Sequence, residues 1–253
     1  MTSVTLGHLD ETLHEASAAA VARVLEAYEL EIEYVPGTHE ALMAHMRNGD
    51  IDLFVSAWLP DVDAAYLDPA LGMEPLGDLY RPEFGWYLPT SAATGLTSIA
   101  ELAADGHDVN REIVAAQSVL DRVRHGVAAY NLTEHGFTIA ARPDEDAVQY
   151  ADQAIRTGDP AIIALWQPNF LHYGSTSLTP LLDPKGALGT AQTARMLVRR
   201  AVREELDSDM LDELDELTLG NKVVSALDHA MRVEGMSADA AAEAWQRGKL
   251  LPR

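Results

Sequence analysis

The sequence predicts an α/β protein of two lobes. From residue 4 to residue 57 the chain alternates strand and helix patterns in the order β-α-β-α-β, and a second unit of this kind spans roughly residues 95–185. Such alternation favours mainly parallel sheets covered by helices. A chain of 253 residues is long enough for one large domain or for two lobes, and two lobes with a cleft between them are the simplest arrangement.

The first lobe begins with an apolar strand at residues 4–9 and a helix at residues 10–28. A strand at residues 30–35 and a short helix at residues 39–47 follow. Residues 51–57 are apolar and β-favouring, which indicates a buried strand that ends at Trp58. Ligands bind at the carboxyl ends of strands in open α/β sheets, so Trp58 is either a pocket wall or part of the core.

The middle of the chain supplies the second lobe. Residues 60–89 are irregular except for a strand at residues 84–89 that crosses between lobes, and Ser98 with Glu101 forms a capping box that opens a helix. Strands at residues 113–116, 137–141 and 160–166 alternate with helices at residues 117–130 and 144–157. From about residue 190 the chain is predicted to be helical. We therefore place lobe 1 at residues 1–92 and 188–253, and lobe 2 at residues 93–187.

Composition excludes several classes of partner. The formal net charge of −22 repels nucleic acid and anionic membrane surfaces, although acidity can also serve solubility alone. The absence of cysteine removes disulfides, thiolate metal sites and a cysteine nucleophile. No apolar run reaches the roughly 18 residues of a membrane-spanning helix. No signal-peptide pattern opens the sequence, so a cytoplasmic location stays open.

Signatures of catalysis are missing from the sequence, which has no Gly-x-Ser-x-Gly elbow, no phosphate loop and no Gly-x-Gly-x-x-Gly. His8, Asp10, Glu11 and His14 crowd the end of the first strand and could bind a metal. Solvated side chains are the simpler interpretation, so we predict no metal and no cofactor. An enzyme that uses Glu11 and Asp63 as acid and base is the weakest alternative, because paired carboxylates alone are a nonspecific signal.

Two tryptophans repeat one pattern. Trp58-Leu59-Pro60 and Trp166-Gln167-Pro168 each end a buried strand, one in each predicted lobe. Two indole faces that meet across a cleft could hold a cation such as a quaternary ammonium, each contributing about 0.5–2 kcal/mol. On spacing alone, two core tryptophans explain the pattern equally well.

Along nearly its whole length the chain resembles the glycine betaine/proline betaine substrate-binding proteins of ABC importers. The matching segments are Val4-Thr5-Leu6-Gly7, residues 49–60, Ser98-Ile99-Ala100-Glu101-Leu102, Trp166-Gln167-Pro168-Asn169, Leu181-Leu182-Asp183-Pro184-Lys185 and Ala241-Ala242-Glu243-Ala244-Trp245. The resemblance implies a two-lobed type II periplasmic-binding-protein fold. It also implies an aromatic cage for the ligand's ammonium group and backbone N–H groups at a helix start for its carboxylate.

The resemblance assigns ligand-binding roles residue by residue. Trp58 and Trp166 match two of the family's cage tryptophans. The backbone amides of Ser118 and Val119 match the turn that holds the carboxylate, which suits the anion preference of a helix N-terminus. The family usually has Pro-Gly-x-Gly at this turn, whereas this chain has Ala115-Ala116-Gln117-Ser118.

Three further positions depart from the family pattern. Glu11 stands where the family has a third cage tryptophan, Asp63 where some members have a carboxylate-binding histidine, and Asn169 where a histidine is usual. A betaine's carboxylate would meet Asp63 as a like charge, whereas a cation would gain Glu11 as a counter-ion. We therefore expect a ligand more cationic than glycine betaine, unless Glu11 and Asp63 point to solvent.

Together these features predict a receptor and not an enzyme. Its lobes would close on a small quaternary-ammonium, zwitterionic or cationic ligand. By the same resemblance, we expect the protein to be extracytoplasmic and to deliver its ligand to an ABC permease. We also predict a monomer, and the negative charge predicts that it binds no nucleic acid. A cytoplasmic sensor or orphan receptor with the same fold is the alternative.

Overall fold

The computed structural model describes residues 3–104, 106–174 and 177–251, which form two compact units. The first unit contains the chain up to Pro82, the short segment Pro168–Tyr173 and the chain from Gln192 onward. The second unit contains Glu83–Gln167 and Gly174–Ala191. Each unit is built on its own five-stranded sheet, as the predicted two-lobed α/β class requires.

Strands and helices follow one another along both units. The strands are β1 (Ser3–Leu9), β2 (Glu31–Gly37), β3 (Leu53–Leu59), β4 (Met73–Tyr80), β5 (Glu83–Pro89), β6 (Glu112–Ala116), β7 (Thr138–Arg142), β8 (Ile163–Gln167), β9 (Leu178–Leu181) and β10 (Thr193–Arg199). The helices are α1 (Thr12–Ala27), α2 (His39–Asn48), α3 (Leu120–Ala129), α4 (Asp144–Thr157), α5 (Arg200–Arg203), α6 (Ser208–Glu216), α7 (Asn221–Arg232) and α8 (Ala238–Gln246).

The sheet of the first unit has the strand order β2-β1-β3-β10-β4. Strands β1, β2 and β3 are parallel, while β10 runs antiparallel to both β3 and β4. Every residue of β3 is buried, as expected for a central strand covered on both faces. Helix α1 packs its alanine-rich face on this sheet, and Gly7 allows Ile51 to approach β1 closely, because a Cβ there would lie 2.7 Å from the Ile51 side chain.

The sheet of the second unit has the strand order β7-β6-β8-β5-β9. Strands β6, β7 and β8 are parallel, and β5 runs antiparallel to β8 and β9. The core beneath this sheet includes Trp86, which is fully buried, and Gly126 of α3, where a Cβ would lie 2.9 Å from the indole. Because β6, β7 and β8 are parallel, their carboxyl ends lie along one edge of the sheet.

Several sequence predictions about the elements are confirmed and others are wrong. The predicted capping box is present, with Ser98 accepting from Ala100 N–H, but it begins a 3-10 turn, Ile99–Ala103, and not an α-helix. The segment predicted to be helical from residue 190 contains the strand β10, and the region predicted to be irregular contains β4. The chain enters the second unit at Glu83, because β5 pairs with β8 and β9, and not at residues 92–93 as predicted from the sequence. No helix within the described residues is long and apolar enough to cross a membrane.

Candidate functional site

A bulge in β3 positions the predicted cage residue Trp58. Strand β3 pairs with β10 through Ala57 and Phe54, but the register shifts between Arg195 and Leu197, so β3 carries an extra residue there. Within this bulge Ser56 has a φ of 75° although it is not glycine. Such a conformation costs of order 1–3 kcal/mol and persists only where the surroundings enforce it, which is common next to functional residues.

The indole of Trp58 is held by hydrogen bonds along its edge. Its Nε1–H donates to Tyr80 Oη at 3.1 Å and lies 3.3 Å from Ser56 Oγ. Ser56 and Tyr80 are themselves joined by a short hydrogen bond between their hydroxyls. Burial raises the pKa of Tyr80 to about 12, so its hydroxyl keeps its proton at neutral pH. The ring of Trp58 is therefore fixed in orientation, and the residue as a whole is 8% exposed.

A neutral histidine packs against Trp58. His14 of α1 is buried, and its ring centroid lies 5.4 Å from that of Trp58 at an interplanar angle of 31°. Burial, followed by the nearby His8 and His39, lowers the pKa of His14 to about 3. The imidazole therefore adds no positive charge beside the indole at neutral pH.

Asp63 binds the backbone of Trp58. Its Oδ2 accepts from Trp58 N–H at 2.6 Å, and its own N–H donates to Trp58 O at 2.9 Å, which closes the turn after β3. The Asp63 residue is only 3% exposed, and its Oδ1 lies 3.5 Å from His39 Nδ1. Burial raises the pKa of Asp63 to about 6, although the Trp58 N–H opposes this shift. A direct contact between Asp63 and a ligand stays a prediction, since this carboxylate is engaged within its own turn.

Glu11 lies close enough to Asp63 for the two carboxylates to interact electrostatically. It is the exposed N-cap residue of α1, its side chain makes no capping hydrogen bond to that helix, and its charge contributes to the raised pKa of Asp63. The structure thus places Glu11, Asp63 and Trp58 around the carboxyl ends of β1 and β3. Among the described residues, His8, Asp10, Glu11 and His14 form no group arranged to hold a metal ion.

The predicted carboxylate-binding turn lies in the second unit. After β6 the chain forms a 3-10 turn, Gln117–Val119, which leads directly into α3. Ser118 is exposed, while the Val119 side chain is buried in the core. Ser118 N–H donates to Asp144 Oδ1 at 3.1 Å. A carboxylate of the chain itself therefore occupies one of the two amides that the sequence assigns to a ligand.

Trp166 also lies in the second unit, at the end of β8. Its ring makes an edge contact with Phe84, the centroids lying 5.5 Å apart. The Arg122 guanidinium of α3 lies over the indole, 4.8 Å from its centroid, and donates to Leu188 O at 3.2 Å. The indole of Trp166 therefore already holds a cation of the chain on one face, in the geometry of a cation–π contact.

Asn169 belongs to the first unit, on the segment Pro168–Tyr173. Its side-chain oxygen accepts from Leu171 N–H at 3.0 Å and caps a 3-10 turn, while its N–H donates to Ser225 Oγ at 3.3 Å. The buried Asp228 of α7 holds the same segment by accepting from Phe170 N–H at 2.8 Å. Contact between Asn169 and a ligand stays a prediction.

Three residues that support the site were not predicted from the sequence, namely Tyr80, Arg122 and Asp144, and His14 was considered only as a metal ligand. His14 and Tyr80 meet Trp58 only through the packing of α1 and β4 on β3, which no local pattern reveals. Asp144 could have been found. The predicted strand at residues 137–141 and the predicted helix at residues 144–157 place Asp144 just after a strand end. The predicted strand at residues 113–116 ends just before Ser118, and the two strand ends lie beside each other.

Comparison with known proteins identifies relatives. The family model for the substrate binding domain of ABC-type glycine betaine transport systems matches residues 2–247. Lactococcal OpuAC, solved closed and complexed with glycine betaine, is similar at a TM-score of 0.77 and 20% identity, over 98% of this chain and 96% of that chain.

Two further solved structures have similar folds. An ABC-transporter choline-binding protein in complex with choline has a TM-score of 0.72 and 19% identity, over 98% of this chain and 88% of that chain. The glycine betaine/L-proline-binding protein ProX from Borrelia burgdorferi has a TM-score of 0.72 and 20% identity, over 96% and 92%. No curated protein sequence matches the chain.

Proposed function

Because the chain belongs to the family of substrate-binding domains of ABC-type glycine betaine transport systems, we propose that it captures a small quaternary-ammonium or other cationic ligand with Trp58 and Trp166. The members of this family are substrate-binding receptors that act outside the cytoplasm and work with an ABC permease. We extend these properties to this chain, acting as a monomer, and we propose closure of the two lobes on the ligand as the means of capture.

The surroundings of Trp58 are the observation that carries this proposal. An indole whose edge is fixed by Tyr80 and whose ring packs on an imidazole offers a preorganised aromatic surface, and the imidazole adds no positive charge to it at neutral pH. A cation against such a face gains about 0.5–2 kcal/mol, more when it is desolvated. The nearby carboxylate of Glu11 would add electrostatic attraction for a cation.

Trp166 supports the proposal from the second unit. The Arg122 guanidinium over its ring is an example, within the chain, of a cation bound by this indole. A ligand's ammonium group would bind the same ring by the same physics, either on the opposite face or after displacing Arg122. The positive charge of Arg122 would weaken the binding of a cationic ligand at this ring.

Alanine variants test the cage. Trp58→Ala and Trp166→Ala should each weaken binding of choline at least tenfold, or about 1.4 kcal/mol, because each removes an aromatic face. Isothermal titration calorimetry on the full chain measures this. Trp245→Ala in α8 is the matched control and should bind choline like the wild type. Unchanged affinity in both cage variants would contradict the proposal.

A further inference from the structure

The second unit has predicted ligand-binding residues and acidic residues along one edge of its sheet. Strands β6 and β7 are parallel with Ala116 opposite Arg142, and β8 runs parallel to β6. The chain leaves β6 into the turn that contains Ser118, leaves β7 into α4, and ends β8 at Gln167, next to Trp166. Parallel strands thus bring the start of α4 beside the predicted carboxylate-binding turn.

Asp144 reaches that turn because of its place in α4. It is the first residue of the helix and follows Pro143, which has a φ of −51° and lacks an N–H group. The Asp144 side chain does not accept from the N–H groups at the start of its own helix but accepts from Ser118 N–H at 3.1 Å. Both partners are exposed, so this contact lies where solvent and small ligands have access.

We propose that Asp144 determines ligand class by filling the Ser118 amide that a ligand carboxylate would otherwise use. This inference rests on the proposed function. A betaine would have to displace Asp144 from the amide and would then place its carboxylate beside a second one, and like charges at one site disfavour each other. A choline-like ligand carries the same trimethylammonium head without a carboxylate, and its hydroxyl can donate to Asp144. The site therefore favours quaternary ammonium compounds that lack a carboxylate.

Choline and glycine betaine provide a matched pair of probes, since they share the trimethylammonium head and differ in a hydroxyl or a carboxylate. We expect calorimetry of the wild-type chain to give at least tenfold tighter binding for choline. Asp144→Ala removes the competing charge and exposes the Ser118 amide. The ratio of choline to glycine betaine affinity should fall at least tenfold in this variant.

Two further variants keep the test sharp. Asp144→Asn retains an acceptor for Ser118 N–H without the charge, and it should lower the same ratio by a smaller factor. Asp146→Asn removes the same charge two residues further along the first turn of α4, and it should leave the ratio at the wild-type value. This control separates a contact effect from a change in net charge.

The outcomes distinguish this inference from the function on which it rests. If both ligands bind and neither Asp144 variant changes the affinity ratio, the role of Asp144 is overturned while the receptor function stands. An equal shift of the ratio in Asp146→Asn would also overturn it, because net charge would then explain the preference. If neither ligand binds the wild-type chain, the proposed function fails and this inference fails with it.

Discussion

Asp63, which binds the backbone of Trp58, makes the stability of the folded protein depend on pH. Its pKa in the folded protein is raised to about 6 by burial, above the ordinary value of 3.8. Between these two pH values the folded state binds more protons than the unfolded state, so this group's contribution to stability is present below pH 3.8 and is lost as pH rises to 6. The buried His14 acts in the opposite direction, because its pKa is lowered to about 3 and the stability it contributes is lost as pH falls.

The variant Asp63→Asn should therefore change how stability depends on pH. The asparagine can still accept from Trp58 N–H but does not titrate, which leaves the effect of His14 unopposed. We expect the free energy of unfolding of the variant, minus that of the wild type, to grow by roughly 1–3 kcal/mol from pH 4 to pH 6. Urea denaturation at several pH values measures this. A difference that is constant with pH would contradict the assignment, and Asp212→Asn on the exposed face of α6 is the control.

At the level of single residues, the sequence predicted where the tryptophans lie but not what surrounds them. Trp58 follows a buried apolar run and Trp166 follows another, so each strand end could be found from composition alone. The Asp63 carboxylate and the Trp58 N–H meet within one turn, yet five residues of spacing do not distinguish a side chain that folds back from one that points to a ligand. The His14 contact depends on how α1 packs on β3, which only the fold determines.

Among the elements, Asp228 connects three segments of the first unit. It is 1% exposed and accepts from Thr12 Oγ1 at 2.7 Å, from Phe170 N–H at 2.8 Å and from Arg232 Nε–H at 3.0 Å. These bonds join the start of α1, the segment Pro168–Tyr173 and α7. The buried Asp228 carboxylate therefore helps to fix the segment that carries Asn169 on the first unit, together with the bond from Asn169 N–H to Ser225 Oγ.

Removing this carboxylate should destabilise the first unit. In Asp228→Ala the Phe170 amide and the Arg232 guanidinium lose a buried acceptor, which typically costs about 3 kcal/mol or more. Asp228→Asn keeps an acceptor and should cost less. Chemical denaturation gives the free energy of unfolding, and Asp212→Ala on the exposed face of α6 should change it by no more than about 0.5 kcal/mol. An Asp228→Ala variant as stable as this control would contradict the role.

The element pattern was predictable where it is local. The β-α-β-α-β start of the chain has caps and turn residues that identify it, such as Thr38, which accepts from Ala41 N–H, and Gly49 with a φ of 85°. Strand β10 was predicted as helix because Thr193–Arg199 has apolar residues that suit either structure. Its pairing with β3 and β4 joins residues far apart in sequence, and such pairing overrides local propensity.

At the scale of the whole molecule, charge and site residues favour the same ligand class. The chain has 40 acidic and 18 basic side chains, and its net charge of −22 raises the local concentration of cations. Glu11 and Asp144 add carboxylates at the positions that we propose for ligand binding, one in each unit. The family match gives the receptor class. Glu11, which departs from the family pattern, and Asp144 at the Ser118 amide give our expectation that the ligand is not a plain betaine.

A calorimetric comparison of ligands on the full chain tests this central claim most directly. The panel contains choline, glycine betaine, carnitine, spermidine and arginine, titrated at one ionic strength because screening weakens the attraction of cations. We predict that a cation without a carboxylate binds tightest and that glycine betaine binds at least tenfold more weakly. Glycine betaine as the tightest ligand of the panel would contradict the account.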